Sequence, residues 1–169
     1  MNTKQIQALI LPIIFLIVIP AFLLFDFQTM SFKVIFFDIP LGSLLCLAGL
    51  VVLATTVNAL HKIGEGTIAP WDPTLNLVTS GLYAYVRNPM IGGAVLVLIG
   101  EAMFFGSDKI LIWSFLFFIL NSFYFKFIEE PALEERFGEE YSEYKKNVPM
   151  WVPKRKPWGK DREGEEPKK

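Results

Sequence analysis

The sequence predicts an all-α integral membrane protein: four transmembrane helices, a structured cytoplasmic loop over 61–89 and a C-terminal amphipathic helix. Three observations carry that expectation. Residues AVILMFWYC make up 53% of the 169 residues, 16 of them Phe, and mean hydropathy is +0.42. The net charge is only −1, yet the charges crowd into the segment from Lys126 onward and are sparse before it. The chain also holds charge-free stretches at 6–25 and 41–60, close to the roughly 20 residues that cross ~30 Å of hydrocarbon. Together these exclude a soluble enzyme with a polar shell all round, a disordered chain, and a nucleic-acid binder relying on excess basic charge.

The first span, 6–25, contains Pro12 and Pro20, so kinks or a frayed end are expected, which membrane helices tolerate. It is too long for the apolar core of a signal peptide, and no small-residue cleavage site follows. The second span, 41–60, starts after Asp38 and Pro40 and ends at His61 and Lys62. The segment 63–88 is rich in Gly, Pro, Asp, Asn and Ser, which break helices. It is too apolar for a solvated loop, and Trp71, Tyr83 and Tyr85 suit the membrane surface.

Asn88-Pro89 reads as a helix start, with Asn as N-cap and Pro at the first helical position. The third span is 90–106, Gly106-Ser107-Asp108-Lys109 forms a tight reversal, and the fourth span is 110–128. Glu129-Glu130-Pro131 is expected to break it. A separate helix over about 131–146 then shows Leu133, Phe137, Tyr141 and Tyr144 on one face, fit to pack on the protein's own surface or to cover a site. The whole is one membrane domain, 1–153, and the charged end, 154–169, is expected to be disordered. Four spans put both termini and the 61–89 loop on one side. That side carries Lys4, Lys62, Arg87 and the tail's cations, against Lys33 and Lys109 on the other, so it is expected to be cytoplasmic. The missing cleavable signal and the short two-span opening point to a prokaryotic cytoplasmic membrane.

Several residues have types and positions that suit chemistry. Arg87 stands just before a helix N-terminus, where free N–H groups and a guanidinium together suit a carboxylate or phosphate; an anchor to lipid phosphate is the plainer alternative. Glu129 and Glu130 reach the same face and suit an ammonium or sulfonium, unless they only solvate a helix end. Gly64-Glu65-Gly66-Thr67 follows the second span, and its glycines permit close backbone approach. It lacks the strand-and-helix frame of a dinucleotide-binding turn. Glu101 is the acid well inside a span, with an outward-snorkelling or hydrogen-bonded structural role favoured over catalysis. His61 is expected at the interface. Cys46 is the lone cysteine, so no intrachain disulfide or multi-cysteine zinc site forms, and no metal is expected.

Gly64-x-Gly66-Thr67, then Gly81-Leu82-Tyr83-x-Tyr85-x-Arg87-Asn88-Pro89, then Glu129-Glu130 with Phe137-Gly138-x-x-Tyr141-x-x-Tyr144 resembles the isoprenylcysteine carboxyl methyltransferase and phospholipid methyltransferase superfamily, in its short prokaryotic branch. The resemblance spans roughly 45–153. It implies an integral membrane enzyme that uses S-adenosylmethionine (SAM) at the cytoplasmic membrane edge and admits a lipidic or small hydrophobic acceptor from the side. Carried over by position, Gly64, Gly66, Tyr83, Arg87, Asn88, Pro89, Glu129 and Glu130 become cofactor-binding candidates, with Arg87 and Glu130 also the catalytic candidates. The best-known form of the turn has His at the position of Asn88 and often Tyr near Met90-Ile91. These departures bear on the acceptor more than on the cofactor. Arg87 is expected to hold a carboxylate and the paired glutamates an amine. Glu130 is expected to matter more, because the Pro131 break turns its side chain toward the loop and Arg87. The partners implied are the lipid bilayer and the acceptor, with no nucleic acid. A nicotinamide-dependent membrane reductase of related core and a non-catalytic membrane scaffold are the alternatives.

Overall fold

The computed structural model describes residues 10–25, 38–65 and 74–159. Among the described residues all regular structure is helical. Helix α1 covers Ile10–Phe25, α2 Ile39–Lys62, α3 Pro89–Phe105, α4 Asp108–Tyr124 and α5 Glu130–Asn147, with a 3-10 turn at Gly81–Ala84 before α3. Helix α2 and the run from α4 into α5 are long and apolar enough to cross a membrane; α1 and α3 are apolar but shorter. Four apolar helices thus stand where four spans are expected, and two of them meet the length.

The helix starts follow local chemistry. Asp38 caps α2 by accepting from the Leu41 N–H at 2.9 Å, with Pro40 in the first turn. Gly106 closes α3 in the left-handed conformation (φ 61°, ψ 42°), which glycine adopts without penalty. Ser107 then caps α4 through the Ile110 N–H at 3.4 Å.

Helices α2 and α3 pack backbone to backbone. Gly42 and Gly49 on α2 face Gly100 and Gly93 on α3. A Cβ on Gly49 would lie 2.6 Å from the Gly93 carbonyl oxygen, and one on Gly100 2.7 Å from the Cys46 nitrogen. Close contact of this kind is what holds helices together where lipid is as apolar as the side chains. The pairing is antiparallel, so Asp38 meets Met103 at one end, its N–H donating to that carbonyl at 3.4 Å. The C-terminus of α2 and the N-terminus of α3 share the other end. Ala94, Leu98 and Phe117 form the core between α3 and α4, with Phe15 and Trp113 packed against them.

Two prolines sit in helices in the same way, one of them against expectation. Ile14–Val18 and Phe125–Glu129 are π turns, in which Ile19 N–H reaches the Ile14 carbonyl and Glu130 N–H the Phe125 carbonyl. The next residue in each case is proline, Pro20 or Pro131. A proline in a helix lacks an N–H and clashes with the preceding turn; a widened turn relieves the clash and leaves a carbonyl over. In α1 that carbonyl is Phe15's, and the Trp113 indole N–H fills it at 3.2 Å. Pro131 therefore does not break the chain, as the sequence suggests: helix continues from Asp108 to Asn147 through the second π turn.

The real break is Gly138 (φ 56°, ψ −124°). Beyond it α5 folds back, because Lys145 Nζ lies 2.9 Å from Glu134 Oε1 and 2.9 Å from Glu130 Oε2. A straight helix would hold residues eleven positions apart ~16 Å from each other along its axis. The expected apolar stripe is instead a cluster made by this hairpin: Tyr141, Tyr144 and Val148 bury against Leu77, Leu133, Phe137 and Trp158. The charged end, expected to be disordered from 154, is in place through Gly159: the Trp158 ring sits 5.5 Å from that of Tyr144.

Candidate functional site

Polar groups gather at the end where α2 stops and α3 begins. The turn 83–88 enters α3 with Tyr83, Ala84, Val86 and Asn88 buried. Buried backbone groups need partners, and the C-terminal segment supplies them. Tyr144 OH donates to the Tyr83 carbonyl at 2.8 Å. Arg87 N–H donates to the Pro149 carbonyl at 2.9 Å, Lys154 N–H to Tyr85 at 3.0 Å and Trp158 N–H to Ala84 at 2.9 Å. The hairpin and the strand of chain after it thus clamp the turn.

Inside the clamp Arg87 Nη1 is ion-paired with Glu130 Oε1, and the two side chains are 8% and 4% exposed. Lys145 takes the second carboxylate oxygen at 2.9 Å. The sequence expectation that Glu130 turns toward Arg87 holds, though the π turn, not a break at Pro131, aims it. Glu129, the next residue, points elsewhere. It is half-buried, within electrostatic reach of Tyr83, Tyr124 and Arg136, and makes no close ion pair among the described residues. Adjacent helical side chains diverge by ~100°, and here the divergence separates their surroundings.

Gly64 joins the same end through a chain of contacts. It is buried after α2, and its carbonyl accepts from Leu75 N–H at 2.7 Å and Asn76 N–H at 3.2 Å. A Cβ there would meet Thr74 Cγ2 at 2.6 Å, so only glycine fits beside Thr74. The Thr74 carbonyl in turn accepts from Arg136 Nη1 at 2.9 Å, next to Glu129. Glu65 has positive φ (52°). Gly66, Thr67 and Trp71 lie outside the described residues. Pro89 opens α3 as expected, and Asn88 is its N-cap by position, but its side chain makes no capping bond. Its Nδ2 is buried without a partner among the described residues, as are Arg87 Nε and Tyr141 OH.

Burial raises the phenols of Tyr83, Tyr141 and Tyr144. Burial and then the Glu130 carboxylate push Tyr141 up to about 12. For Tyr83 the Glu129 carboxylate adds to burial, and for Tyr144 the neighbouring tyrosines do. All three are neutral hydrogen-bond donors at physiological pH. Glu101 is not part of the cluster: it sits twelve positions past Pro89 on α3, ~18 Å along the axis. His61 is exposed in the last turn of α2. Sequence reasoning missed Thr74, Arg136, Tyr141, Lys145 and Pro149 as members. Tyr141 alone carried a signal, in the apolar stripe and in the pattern that carries the family resemblance.

The described residues thus form an apolar helical bundle with a buried ion pair, Arg87–Glu130, at one end. The chain belongs to the phospholipid methyltransferase family, whose model matches residues 37–140. It is also similar to the protein-S-isoprenylcysteine O-methyltransferase of Schizosaccharomyces pombe, 29% identical over 115 residues. That match covers 64% of this chain and 46% of the relative, so the chain spans about half the length of the curated relative it matches. No solved structure matches.

Proposed function

We propose that the protein is a SAM-dependent methyltransferase acting at the membrane–cytoplasm boundary on a lipidic or small hydrophobic acceptor, with all four apolar helices embedded and both termini cytoplasmic. The observation that carries this reading is the convergence of Gly64, Arg87-Asn88-Pro89 and Glu129-Glu130, three sequence-distant pieces of the family pattern, on one end of the bundle.

The residues present fit the cofactor. Arg87 Nε and Asn88 Nδ2 are buried donors without acceptors among the described residues, beside the N-terminus of a 17-residue helix, and they match a carboxylate. Glu129, half-buried, within electrostatic reach of Arg136 but in no close ion pair among the described residues, matches an ammonium or sulfonium. Gly64, with Gly66 by sequence position, keeps the backbone open for close approach. Tyr83 forms the buried floor of the turn. When bound, SAM supplies an electrophilic methyl group on a sulfonium.

The chain's own contribution is then positioning and exclusion of water, the large terms for an in-line displacement. Arg87 holds the anionic end of the cofactor while Glu130 and its partner Lys145 fix the guanidinium in place. Glu130 is thus a positioning residue for Arg87, and Glu129 takes the cation-facing role. The clamp over the turn keeps water away from these charges. Incubating the purified protein in native-lipid vesicles with methyl-tritiated SAM tests the reading. Label should pass into the organic-extractable fraction, and Arg87→Lys, which loses the planar fork, should lower that transfer by about tenfold or more. Label that stays wholly in SAM with every lipid extract supplied would contradict it.

A further inference from the structure

Tyr141 is the most deeply buried large side chain in the clamp, 1% exposed, and its hydroxyl has no hydrogen-bond partner among the described residues. An unpartnered buried hydroxyl is unfavourable, and a phenylalanine would fill the same space without that loss. Its polar neighbours leave the O–H proton unmatched. Arg87 stands beside the phenol oxygen but can only donate. The Glu130 oxygens accept from Arg87 and Lys145 and make no hydrogen bond to the phenol. Among the described residues the O–H proton therefore has no acceptor, and neither do the protons of Arg87 Nε and Asn88 Nδ2, whose side chains are also more than nine-tenths buried. Three donors from two elements, the turn before α3 and the second arm of the hairpin, share one deficiency.

We infer that Tyr141 is a ligand-binding residue: its hydroxyl donates, with Arg87 Nε and Asn88 Nδ2, to one carboxylate of the bound cofactor. This rests on the methyltransferase reading and extends it, since the hairpin then supplies a direct ligand contact as well as cover. Ligand binding and hairpin closure become one event, because the tyrosine that touches the ligand sits between Gly138 and the Tyr144–Tyr83 hydrogen bond.

The test is a cycle of two proteins and two ligands: wild type and Tyr141→Phe, with S-adenosylhomocysteine and its decarboxylated analogue, read by calorimetry in detergent, alongside the melting temperature without ligand. Tyr141→Phe should melt at or above wild type. It should bind S-adenosylhomocysteine about tenfold more weakly, about 1.4 kcal/mol, and lose nothing further for the decarboxylated analogue. Asn88→Ala, whose side chain caps nothing, should repeat the pattern and serves if Tyr141→Phe fails to fold. Equal affinity of Tyr141→Phe and wild type for S-adenosylhomocysteine would overturn the inference, as would an equal loss with both ligands. Wild-type protein that binds neither ligand would overturn the methyltransferase reading itself, and this inference with it.

Discussion

Glu129 and Glu130 are neighbours of the same type with opposite circumstances. Glu130 lies between Arg87 and Lys145 and is 3% exposed, whereas Glu129 is half-buried, with Arg136 in electrostatic reach but no close ion pair among the described residues. Removing one partner of a buried pair leaves the other charge uncompensated, typically ~3–5 kcal/mol. Glu130→Gln should therefore lower the melting temperature and the yield of folded protein, with Arg87 stranded. Glu129→Gln should fold like wild type and bind S-adenosylhomocysteine about tenfold more weakly, as expected for a lost charge-assisted contact of ~1.5–3 kcal/mol. Melting curves and calorimetry on the two variants check this. The reverse pattern, a stable Glu130→Gln with impaired binding beside a destabilised Glu129→Gln, would exchange the roles of the two glutamates.

Among the helices, the α2–α3 seam offers the sharpest contrast. A Cβ on Gly49 would press within 2.6 Å of a backbone oxygen, whereas one on Gly92 meets nothing within 4 Å. Gly49→Ala should force the helices apart and destabilise the bundle by ~1–3 kcal/mol, while Gly92→Ala should be neutral or slightly stabilising, because alanine is the better helix former. Thermal unfolding in detergent distinguishes them. The apolar helices were legible because lack of charge over a long stretch is a property of composition, though only two meet the length of a span. So was the meeting of Arg87 with Glu130, because alternating helices return both to one end. The π turns were not legible, since Pro20 looks like a kink and Pro131 like a break until a widened turn is seen to absorb each missing N–H. The hairpin was hidden for a different reason. Leu133, Phe137, Tyr141 and Tyr144 fit a straight helix's period and also the folded cluster, and only the backbone of Gly138 (φ 56°, ψ −124°) decides between them. The seam glycines carried a signal, equal seven-residue spacing on both helices, that becomes meaningful once the helices are known to be partners.

The molecule as a whole is divided by chemistry along its length. One end holds Asp38, Met103 and the Gly106–Ser107 reversal, and the body is apolar helix against apolar helix. The other end gathers Gly64, Arg87, Asn88, Glu129, Glu130 and Tyr141 beneath a clamp made by residues 144–158. Such a layout suits a reaction whose two reactants come from different phases, a charged, water-soluble methyl donor from one side and a hydrophobic acceptor from the bilayer. The central claim is that the charged end is a SAM site, and calorimetry on the detergent-purified protein with SAM, S-adenosylhomocysteine and NADPH tests it most directly. SAM and S-adenosylhomocysteine should each bind at one site per chain, with NADPH giving no heat of binding. Tight binding of NADPH with none for SAM or S-adenosylhomocysteine would contradict it and make the protein a nicotinamide-dependent reductase on the same scaffold.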